Sequence, residues 1–245
     1  MADVLITIQG VTKIYRLGGQ IVHALRGISL DIHRGEYVSI MGPSGSGKST
    51  LFNMIGGLDV PTEGEVSVEG CRLSDLDSDQ LAWFRCHKIG FIFQTFNLIG
   101  AMTAQENVAI ARTFAGVAYE QARADAAEVL ERVGLGHRLT HLPSQVSDGQ
   151  QQRIAIARAL VNKPLIILAD EPTGNLDLRT GQDIINVLGE MKRTMGITVI
   201  TATHDMKMIS ASDTLVKIRS GAVEEIVGKD KMDVFIGTID GAAIA

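Results

Sequence analysis

The chain has 245 residues, of which 45% are hydrophobic and 21% are charged, and its formal net charge is −5. These values exclude a collagen-like, disordered or disulfide-stapled chain, since Cys71 and Cys86 are the only cysteines. The acidic balance disfavours a general nucleic-acid coat, and no apolar run reaches the roughly 18 residues of a membrane span. The N-terminus shows no secretory signal, so we expect a cytosolic protein.

The first third of the chain alternates short β-rich runs with turn residues, a pattern that predicts strands. The predicted strands are residues 4–9, 28–32, 37–41 and 66–69. A helix is predicted from Lys48 to Ile55, between the third and the fourth of these runs.

The middle of the chain is rich in alanine and glutamate from residue 103 to residue 133, where apolar residues recur at helical spacing. Gly134 and Gly136 are expected to end this helical stretch. A further helix is predicted from about residue 149 to residue 160.

Two continuous apolar runs in the last third, 165–169 and 197–202, predict parallel strands that are buried on both faces. A helix is predicted between them, over about 180–194. The whole pattern indicates an α/β core with a helical insert at about 95–156, and the signal weakens after Gly221.

Residues 42–50 read Gly-Pro-Ser-Gly-Ser-Gly-Lys-Ser-Thr, the spacing of a phosphate-binding loop between a strand and a helix. Glycines allow the backbone to wrap an anion with its N–H groups pointing inward, and the helix N-terminus adds a positive dipole. We expect Lys48 to reach the β- and γ-phosphates of a nucleotide and Ser49 to hold Mg²⁺. The alternative is a glycine-rich turn that binds nothing, which the flanking strand and helix disfavour.

A second candidate motif lies at the end of the apolar run 165–169, which is followed by Asp170 and Glu171. Acids at the C-terminal edge of a parallel sheet face the ligand crevice. Asp170 suits a partner of Mg²⁺, and Glu171 is placed to polarise a water for attack on a γ-phosphate. Solvated acids at a strand end are the alternative, but a neighbouring phosphate loop favours the magnesium interpretation.

Residues 146–153, Val-Ser-Asp-Gly-Gln-Gln-Gln-Arg, resemble the signature sequence of the ATP-binding cassette proteins, which usually reads Leu-Ser-Gly-Gly-Gln. Other motifs of that family follow in matching order. Tyr15 resembles the aromatic residue that stacks on adenine, and Gln94 resembles the glutamine loop. Residues 174–177 are similar to the aspartate loop, and His204 is similar to the switch histidine.

Within this family, the chain resembles the branch that holds the lipoprotein-releasing, macrolide-export and cell-division cassettes. This narrower resemblance is carried by residues 90–98 and 169–177. The resemblance implies an α/β fold, with a P-loop NTPase (RecA-like) core, an antiparallel β-subdomain and an inserted α-helical subdomain. It implies a single ATP-binding domain over 1–228, with its core in 1–94 and 157–228 and its helical subdomain in 95–156. Residues 229–245 would form a flexible C-terminal appendix.

The resemblance also implies a role for individual residues. The catalytic residues would be Glu171, His204, Lys48 and Gln94, and the Mg²⁺ ligands would be Ser49, Gln94 and Asp170. The residues implied to bind ATP are Tyr15, Gly42, Pro43, Ser44, Gly45, Ser46, Gly47, Lys48, Ser49, Thr50, Ser147, Gly149, Gln150 and Asp177.

The function implied by the resemblance is the ATP-binding and hydrolysing subunit of an ABC transporter complex, with ATP and Mg²⁺ as cofactors. Each motif occurs once, so the signature of one copy would close over the ATP held by a second copy in a head-to-tail homodimer. The chain has no membrane span, so we expect a separate membrane permease that docks near Gln94 and the helical insert. The protein would then lie on the inner face of the cell membrane.

Three other functions remain open. A regulatory ATPase of the cell-division type would pull on a membrane partner without transport. A weakly hydrolysing module is suggested by Asp148, where the family usually has glycine. A carboxylate about 4 Å from a γ-phosphate would cost about 4 kcal/mol at a dielectric near 20. We expect the side chain to face away, because Ser147, Gly149, Gln150 and all the catalytic positions are intact. The third function is that of a cassette acting on ribosomes or DNA, which the acidic net charge disfavours. The sequence does not indicate which substrate a transporter of this kind would carry.

Overall fold

The computed structural model describes residues 3–204 and 206–231, which form two β-sheets and seven α-helices. The strands are β1 Val4–Leu17, β2 Gln20–His33, β3 Tyr37–Met41, β4 Glu63–Val68, β5 Cys71–Arg72, β6 Ile89–Ile92, β7 Ile166–Asp170, β8 Thr198–Thr203, β9 Thr214–Arg219 and β10 Ala222–Gly228. The helices are α1 Lys48–Ile55, α2 Ser78–Lys88, α3 Ala104–Phe114, α4 Tyr119–Arg132, α5 Asp148–Leu160, α6 Leu178–Met195 and α7 Met206–Ile209.

The larger sheet has the strand order β10-β9-β3-β8-β7-β6. Its members from β9 to β6 run parallel, and β10 pairs antiparallel with β9 at the edge. Since β3, β7 and β8 are parallel neighbours in the order β3-β8-β7, their C-terminal ends lie at one edge of the sheet. This edge therefore brings together the loops that follow Met41, Asp170 and Thr203.

The smaller sheet is antiparallel, with the order β2-β1-β4-β5. The long strands β1 and β2 pair from Val4 and His33 at one end to Leu17 and Gln20 at the other, with β2 at the edge of the sheet. Backbone irregularities interrupt this pairing, as is common where a strand bends. This sheet covers one face of the molecule's first hydrophobic core.

The parallel sheet separates two hydrophobic cores because side chains alternate between its faces. On β3, Val38 and Ile40 belong to the first core, together with α1 and the antiparallel sheet. Tyr37 belongs to the second core, which α3, α4, α5 and α6 cover. The prediction of parallel strands buried on both faces is therefore confirmed for β7 and β8.

The predicted α/β fold with a P-loop core is confirmed, and the strand 37–41 and the helix 48–55 have the predicted bounds. The predicted strands 4–9 and 28–32 are only parts of β1 and β2. The helical stretch 103–133 divides into α3 and α4, because the chain turns at Gly116, whose φ is +84°.

The pattern of apolar residues does not predict α2, and it indicates β10 only weakly. Helix α2 buries only Phe84 fully, so its sequence shows little helical periodicity in apolar residues. It is specified instead by Asp77, which accepts hydrogen bonds from the Asp79 and Gln80 N–H groups at the N-terminus. Edge strand β10 has no fully buried residue.

Among the helices of residues 3–204 and 206–231, none combines the length and the hydrophobicity of a transmembrane segment. Residues 229–231 form a single 3-10 turn after β10. The rest of the expected appendix, residues 232–245, lies outside the described residues.

We predict that Gly90→Ala destabilises the fold by about 1–3 kcal/mol, because overpacking a close contact forces backbone shifts. A Cβ at Gly90 in β6 would lie 2.5 Å from the Ala159 carbonyl oxygen of α5 and 2.5 Å from Ile167 Cδ1. Urea unfolding measures the change. Gly100→Ala is the matched control, since a Cβ there meets nothing within 4 Å. Equal effects of the two substitutions would contradict the close packing of β6 on α5.

Candidate nucleotide site

The loop between β3 and α1 is shaped by close backbone contacts. A Cβ at Gly42 would lie 2.2 Å from the Ile218 carbonyl oxygen, and one at Gly47 would lie 2.6 Å from the Ala24 carbonyl oxygen. Gly47 also has a φ of +106°, a left-handed conformation that side chains rarely adopt. Glycine is therefore required at both positions for the loop to follow this path.

The N-terminus of α1 has the features of an anion site. Its N-cap residue, Gly47, supplies no side-chain cap, and no acidic residue lies in its first turn. The Lys48 side chain is 7% exposed, and its Nζ donates to the carbonyl oxygens of Gly42 and Pro43, at 2.8 and 3.2 Å. Backbone N–H groups without side-chain partners, a helix dipole and a buried cation together favour a phosphate.

Ser49 and Asp170 meet across the edge of the sheet. The Ser49 hydroxyl donates to Asp170 Oδ2 at 3.0 Å. Burial raises the pKa of the Asp170 carboxyl, against the hydrogen bond from Ser49, and the negative charge of Glu171 raises it further. A bound cation would offset this cost of burying a charged carboxylate.

Glu171 and His204 form a second pair beside the first. His204 Nδ1 lies 3.2 Å from Glu171 Oε1. The Glu171 N–H donates to the Ala202 carbonyl oxygen, and its φ of +45° places it in the left-handed region. This conformation costs about 1–3 kcal/mol outside glycine, and such strain concentrates at functional sites.

Gln94 follows β6 and contacts the segment after Glu171. The Asn175 side-chain amide donates to the Gln94 carbonyl oxygen at 2.9 Å. A Cβ at Gly174 would lie 2.8 Å from Gln94 Nε2. The glutamine is thus held against residues 174–175, and no hydrogen bond joins its side chain to Ser49 or Asp170 in the described structure.

Tyr15 lies on β1 and is tied to the segment after α1. Its hydroxyl donates to Asp59 Oδ2 at 2.9 Å, and Lys13 Nζ donates to Asp59 Oδ1 at 2.6 Å. The Lys13 ammonium lies 5.0 Å from the centre of the Tyr15 ring. Burial and the neighbouring Asp59 raise the pKa of the Tyr15 hydroxyl, and the Thr50 side chain acts against them. The ring therefore has a fixed position next to α1.

The signature residues lie at the N-terminus of α5. Ser147 is the N-cap, and Ser147 and Gln150 form a capping box. A Cβ at Gly149 would lie 2.3 Å from Thr180 Cγ2, so α5 and α6 approach closely here. Asp177 caps α6, and its hydrogen bonds from Thr180 hold the pKa of its carboxyl below the usual range.

The structure thus separates the predicted site residues into two groups. One group lies at the C-terminal edge of the parallel sheet, and the other lies at the N-termini of α5 and α6. The first group contains residues 42–50, Asp170, Glu171 and His204, with Gln94 and Tyr15 beside it. No hydrogen bond or ion pair between described residues joins Ser147, Gly149, Gln150 or Asp177 to the phosphate loop.

Several residues of these two groups had no assigned role in the sequence prediction. Thr180 joins Asp177 to Gly149, Asn175 pairs with Gln94, and Asp59 holds Tyr15. Gln152 of α5 is fully buried and donates to the Pro172 carbonyl oxygen. Gln152 and Asn175 lie within the motif stretches 146–153 and 174–177, but the motifs do not indicate which partners these side chains contact.

The donors at the sheet edge fit a magnesium ion that a nucleotide helps to bind. A hydroxyl and a carboxylate, Ser49 and Asp170, already lie 3.0 Å apart. No group of three or more His, Cys, Asp and Glu residues in the described ranges could hold a metal by itself. Mg²⁺ in such sites takes one or two protein oxygens, with phosphates and waters as its other ligands.

Comparison with known proteins decides the family. Residues 25–174 match the ABC transporter family. The chain belongs to this family. An uncharacterised ABC transporter ATP-binding protein of Thermotoga maritima is 50% identical over 216 residues, which are 88% of this chain and 92% of the relative.

A macrolide export ATP-binding/permease protein, MacB, of Rhodopirellula baltica is 46% identical over 225 residues, or 91% of this chain. The match covers only 33% of that MacB, so the chain spans about a third of its length. This similarity places the chain near the macrolide-export proteins named by the sequence resemblance.

Solved structures of ABC cassettes have the same fold. The cassette MJ0796, in a dimeric post-hydrolysis state bound to ADP and Pi, superposes with a TM-score of 0.85 at 45% identity, covering 91% of this chain and 98% of that one. The curated MJ0796 protein comes from Methanocaldococcus jannaschii. CbiO1 of Clostridium perfringens superposes with a TM-score of 0.83 at 29% identity, covering 92% and 89% of the two chains. The chain is an ATP-binding cassette ATPase, as the resemblance implied.

We predict that Asp59→Asn lowers the free energy of unfolding by about 1–2 kcal/mol at neutral pH, because the buried Lys13 then loses its half-buried charge partner. Burial acts to raise the pKa of the Asp59 carboxyl, but hydrogen bonds from Lys13, Tyr15 and Val60 hold it below the usual range. The stabilisation is therefore present above the unfolded pKa of about 3.9 and is lost as pH falls through the folded value.

Urea unfolding of both proteins from about pH 7 down to about pH 3 tests this sign. The difference between them should narrow in acid. Asp31→Asn, at an exposed carboxyl with no side-chain partner among the described residues, is the control. A difference that widens as pH falls would contradict the assigned ion pair.

Proposed function

We propose that two copies of the chain bind two ATP molecules between them, each ATP held by the phosphate loop of one copy and covered by Ser147, Gly149 and Gln150 of the other. The separation of the two groups of site residues within one chain supports this arrangement. The similar MJ0796 cassette is dimeric in its structure with ADP and Pi. Thr180 contacts both Asp177 and Gly149, so Asp177 would lie at the same interface between the two copies.

In the proposed site, the loop 42–50 and the first turn of α1 bind the phosphates, and Tyr15 stacks on the adenine. Lys48, which donates to Gly42 and Pro43, exchanges these carbonyl partners for the β- and γ-phosphates. Backbone N–H groups and Lys48 stabilise the charge that develops on the transferred phosphoryl group.

Glu171 is the proposed general base, which accepts a proton from the attacking water. His204, whose Nδ1 lies 3.2 Å from Glu171 Oε1, orients this carboxylate and contacts the γ-phosphate. Gln94 is the third proposed catalytic residue after Glu171 and His204, and it positions the water and the metal from the end of β6. The pairing of Glu171 with His204 beside Ser49 and Asp170 is the observation that carries this proposal.

Mg²⁺ is the proposed metal, with Ser49, Asp170 and Gln94 as its protein partners. When bound, the ion would neutralise charge on the β- and γ-phosphates. The donor pair Ser49 and Asp170 supports this assignment. Gln94 would join the pair by leaving its contact with residues 174–175.

A membrane permease is the proposed partner, and the protein would lie on the inner face of the cell membrane through it. The name of the MacB relatives joins an ATP-binding part with a permease, and this chain matches about a third of their length. We propose a separate permease because the Thermotoga maritima relative is 92% covered by this chain, the size of a cassette alone. Residues 95–156 would form the helical subdomain that docks it, and 1–94 with 157–228 the core.

We predict that Glu171→Gln lowers the ATPase rate by about 100-fold or more, because the amide cannot accept the proton. ATP binding persists, so this variant should form a stable dimer with ATP and stay monomeric without it. Steady-state turnover and size-exclusion chromatography with light scattering measure the two effects. Glu190→Gln, at an exposed site on α6, should change neither. A Glu171→Gln chain that stays monomeric at saturating ATP would contradict the proposed dimer.

Asp148 gives specific support to a second candidate, a nucleotide-gated module with little hydrolysis. It is the first residue of α5, and its side chain is exposed without a hydrogen bond or ion pair among the described residues. An acid in the first turn gains about 0.3–1 kcal/mol from the helix dipole, which is smaller than the repulsion from a facing phosphate.

Asp148→Gly separates the two candidates. If the carboxylate faces away from the nucleotide, the ATPase rate should rise by less than about tenfold, since the repulsion is then absent. A rise of several hundredfold would show that the natural site hydrolyses almost no ATP. Measuring both proteins with and without the membrane partner would also reveal whether a partner restores turnover.

A further inference from the structure

Gln152 connects the signature helix to the turn that carries Glu171. It lies in α5, one turn after Gly149, and is fully buried. Its Nε2 donates to the Pro172 carbonyl oxygen at 2.7 Å. Pro172 directly follows Glu171, so a side chain of α5 holds the peptide next to the candidate general base.

The orientation of the Gln152 amide is fixed by this bond. Turning the amide over would place two oxygens against each other, Oε1 and the Pro172 carbonyl. In the observed orientation, Oε1 is buried and has no hydrogen-bond partner in the described structure. Glutamine is thus kept at this buried position at the cost of an unpaired oxygen, whereas an apolar residue of similar length would leave no such atom.

The Glu171 turn needs this support. Glu171 has a φ of +45°, and its carbonyl oxygen accepts from the Gly174 N–H, which closes a tight turn. On one side, the Glu171 N–H is held by β8 through the Ala202 carbonyl oxygen. On the other side, the Pro172 carbonyl is held by α5. The backbone on each side of the Glu171 side chain is therefore anchored to a different element.

We propose that Gln152 is a positioning residue, which sets the Glu171 carboxylate relative to the phosphate loop from the helix that begins with the signature residues. This inference rests on the proposed function, in which Glu171 is the general base. A shift of α5 on closing over the second copy's nucleotide then moves the Pro172 peptide and Glu171 with it. Because Gly149 of α5 packs on Thr180 of α6, the N-terminus of α6 moves in the same direction.

Gln152→Met tests this role, because methionine has a similar length and volume but cannot donate to the Pro172 carbonyl. We expect kcat for ATP to fall by about 10–100-fold, while KM and the equilibrium affinity for ATP change by less than about threefold. The exposed glutamine of α6 supplies the control: Gln182→Met should leave kcat and KM unchanged. A kcat within twofold of the unmodified protein, or a KM that rises as much as kcat falls, would overturn the proposal.

Hydrogen exchange provides a second measurement that does not require turnover. In Gln152→Met, the Gly174 amide should exchange at least about tenfold faster, with β3 and α1 unchanged. The shorter variant Gln152→Asn, which cannot span the distance to Pro172, should behave likewise. Unchanged protection of Gly174 in both variants would overturn the proposal.

The result for Glu171→Gln distinguishes a failure of the positioning role of Gln152 from a failure of the general-base role of Glu171. If Glu171→Gln abolishes turnover and Gln152→Met does not reduce it, the positioning role is wrong and the general base stands. If Glu171→Gln retains turnover, the proposed function of Glu171 fails, whatever Gln152→Met shows.

Discussion

The N-terminus of α1 is the structural constraint on which the nucleotide site depends. Its first N–H groups have no side-chain cap, its N-cap Gly47 is left-handed, and the buried Lys48 ammonium lies inside the loop. Such a helix end favours an anion. Parallel pairing of β3, β8 and β7 then brings the other chemical groups to the same edge, where Ser49 meets Asp170 and Glu171 meets His204. The order of strands in the sheet thus assembles residues that are far apart in sequence.

The remaining site residues lie at the N-termini of α5 and α6, where contacts within the chain hold the two helix ends together. Gly149 packs on Thr180, and Thr180 donates to Asp177, so the two helix ends are packed together as one unit. Gln152 joins this unit to the turn of Glu171. In the proposed dimer, this unit contacts the ATP held by the second copy, while Glu171 acts on the ATP held by its own chain. Mechanical coupling would then follow from packing within one chain.

Local motifs and the buried parallel strands were predictable from the sequence, whereas the full lengths of β1 and β2 and the contacts between distant segments were not. The strand 37–41 and the helix 48–55 were correct in their bounds, because glycine spacing and apolar runs act locally. Helix α2 was missed because only Phe84 is fully buried in it. The contacts of Gln152, Asn175 and Asp59 could not be predicted, since each depends on a partner that folding brings near. The implied roles of the site residues themselves stay predictions.

The turnover of ATP by Lys48→Ala tests the central claim most directly, because every proposed step depends on phosphates held at the N-terminus of α1. Lys48 is buried in the loop and is its only cation, so the variant should lose at least about a hundredfold in ATPase rate and bind ATP more weakly. Lys163→Ala, at an exposed lysine after α5, should keep the full rate. A Lys48→Ala chain that hydrolyses ATP as fast as the unmodified protein would contradict the account.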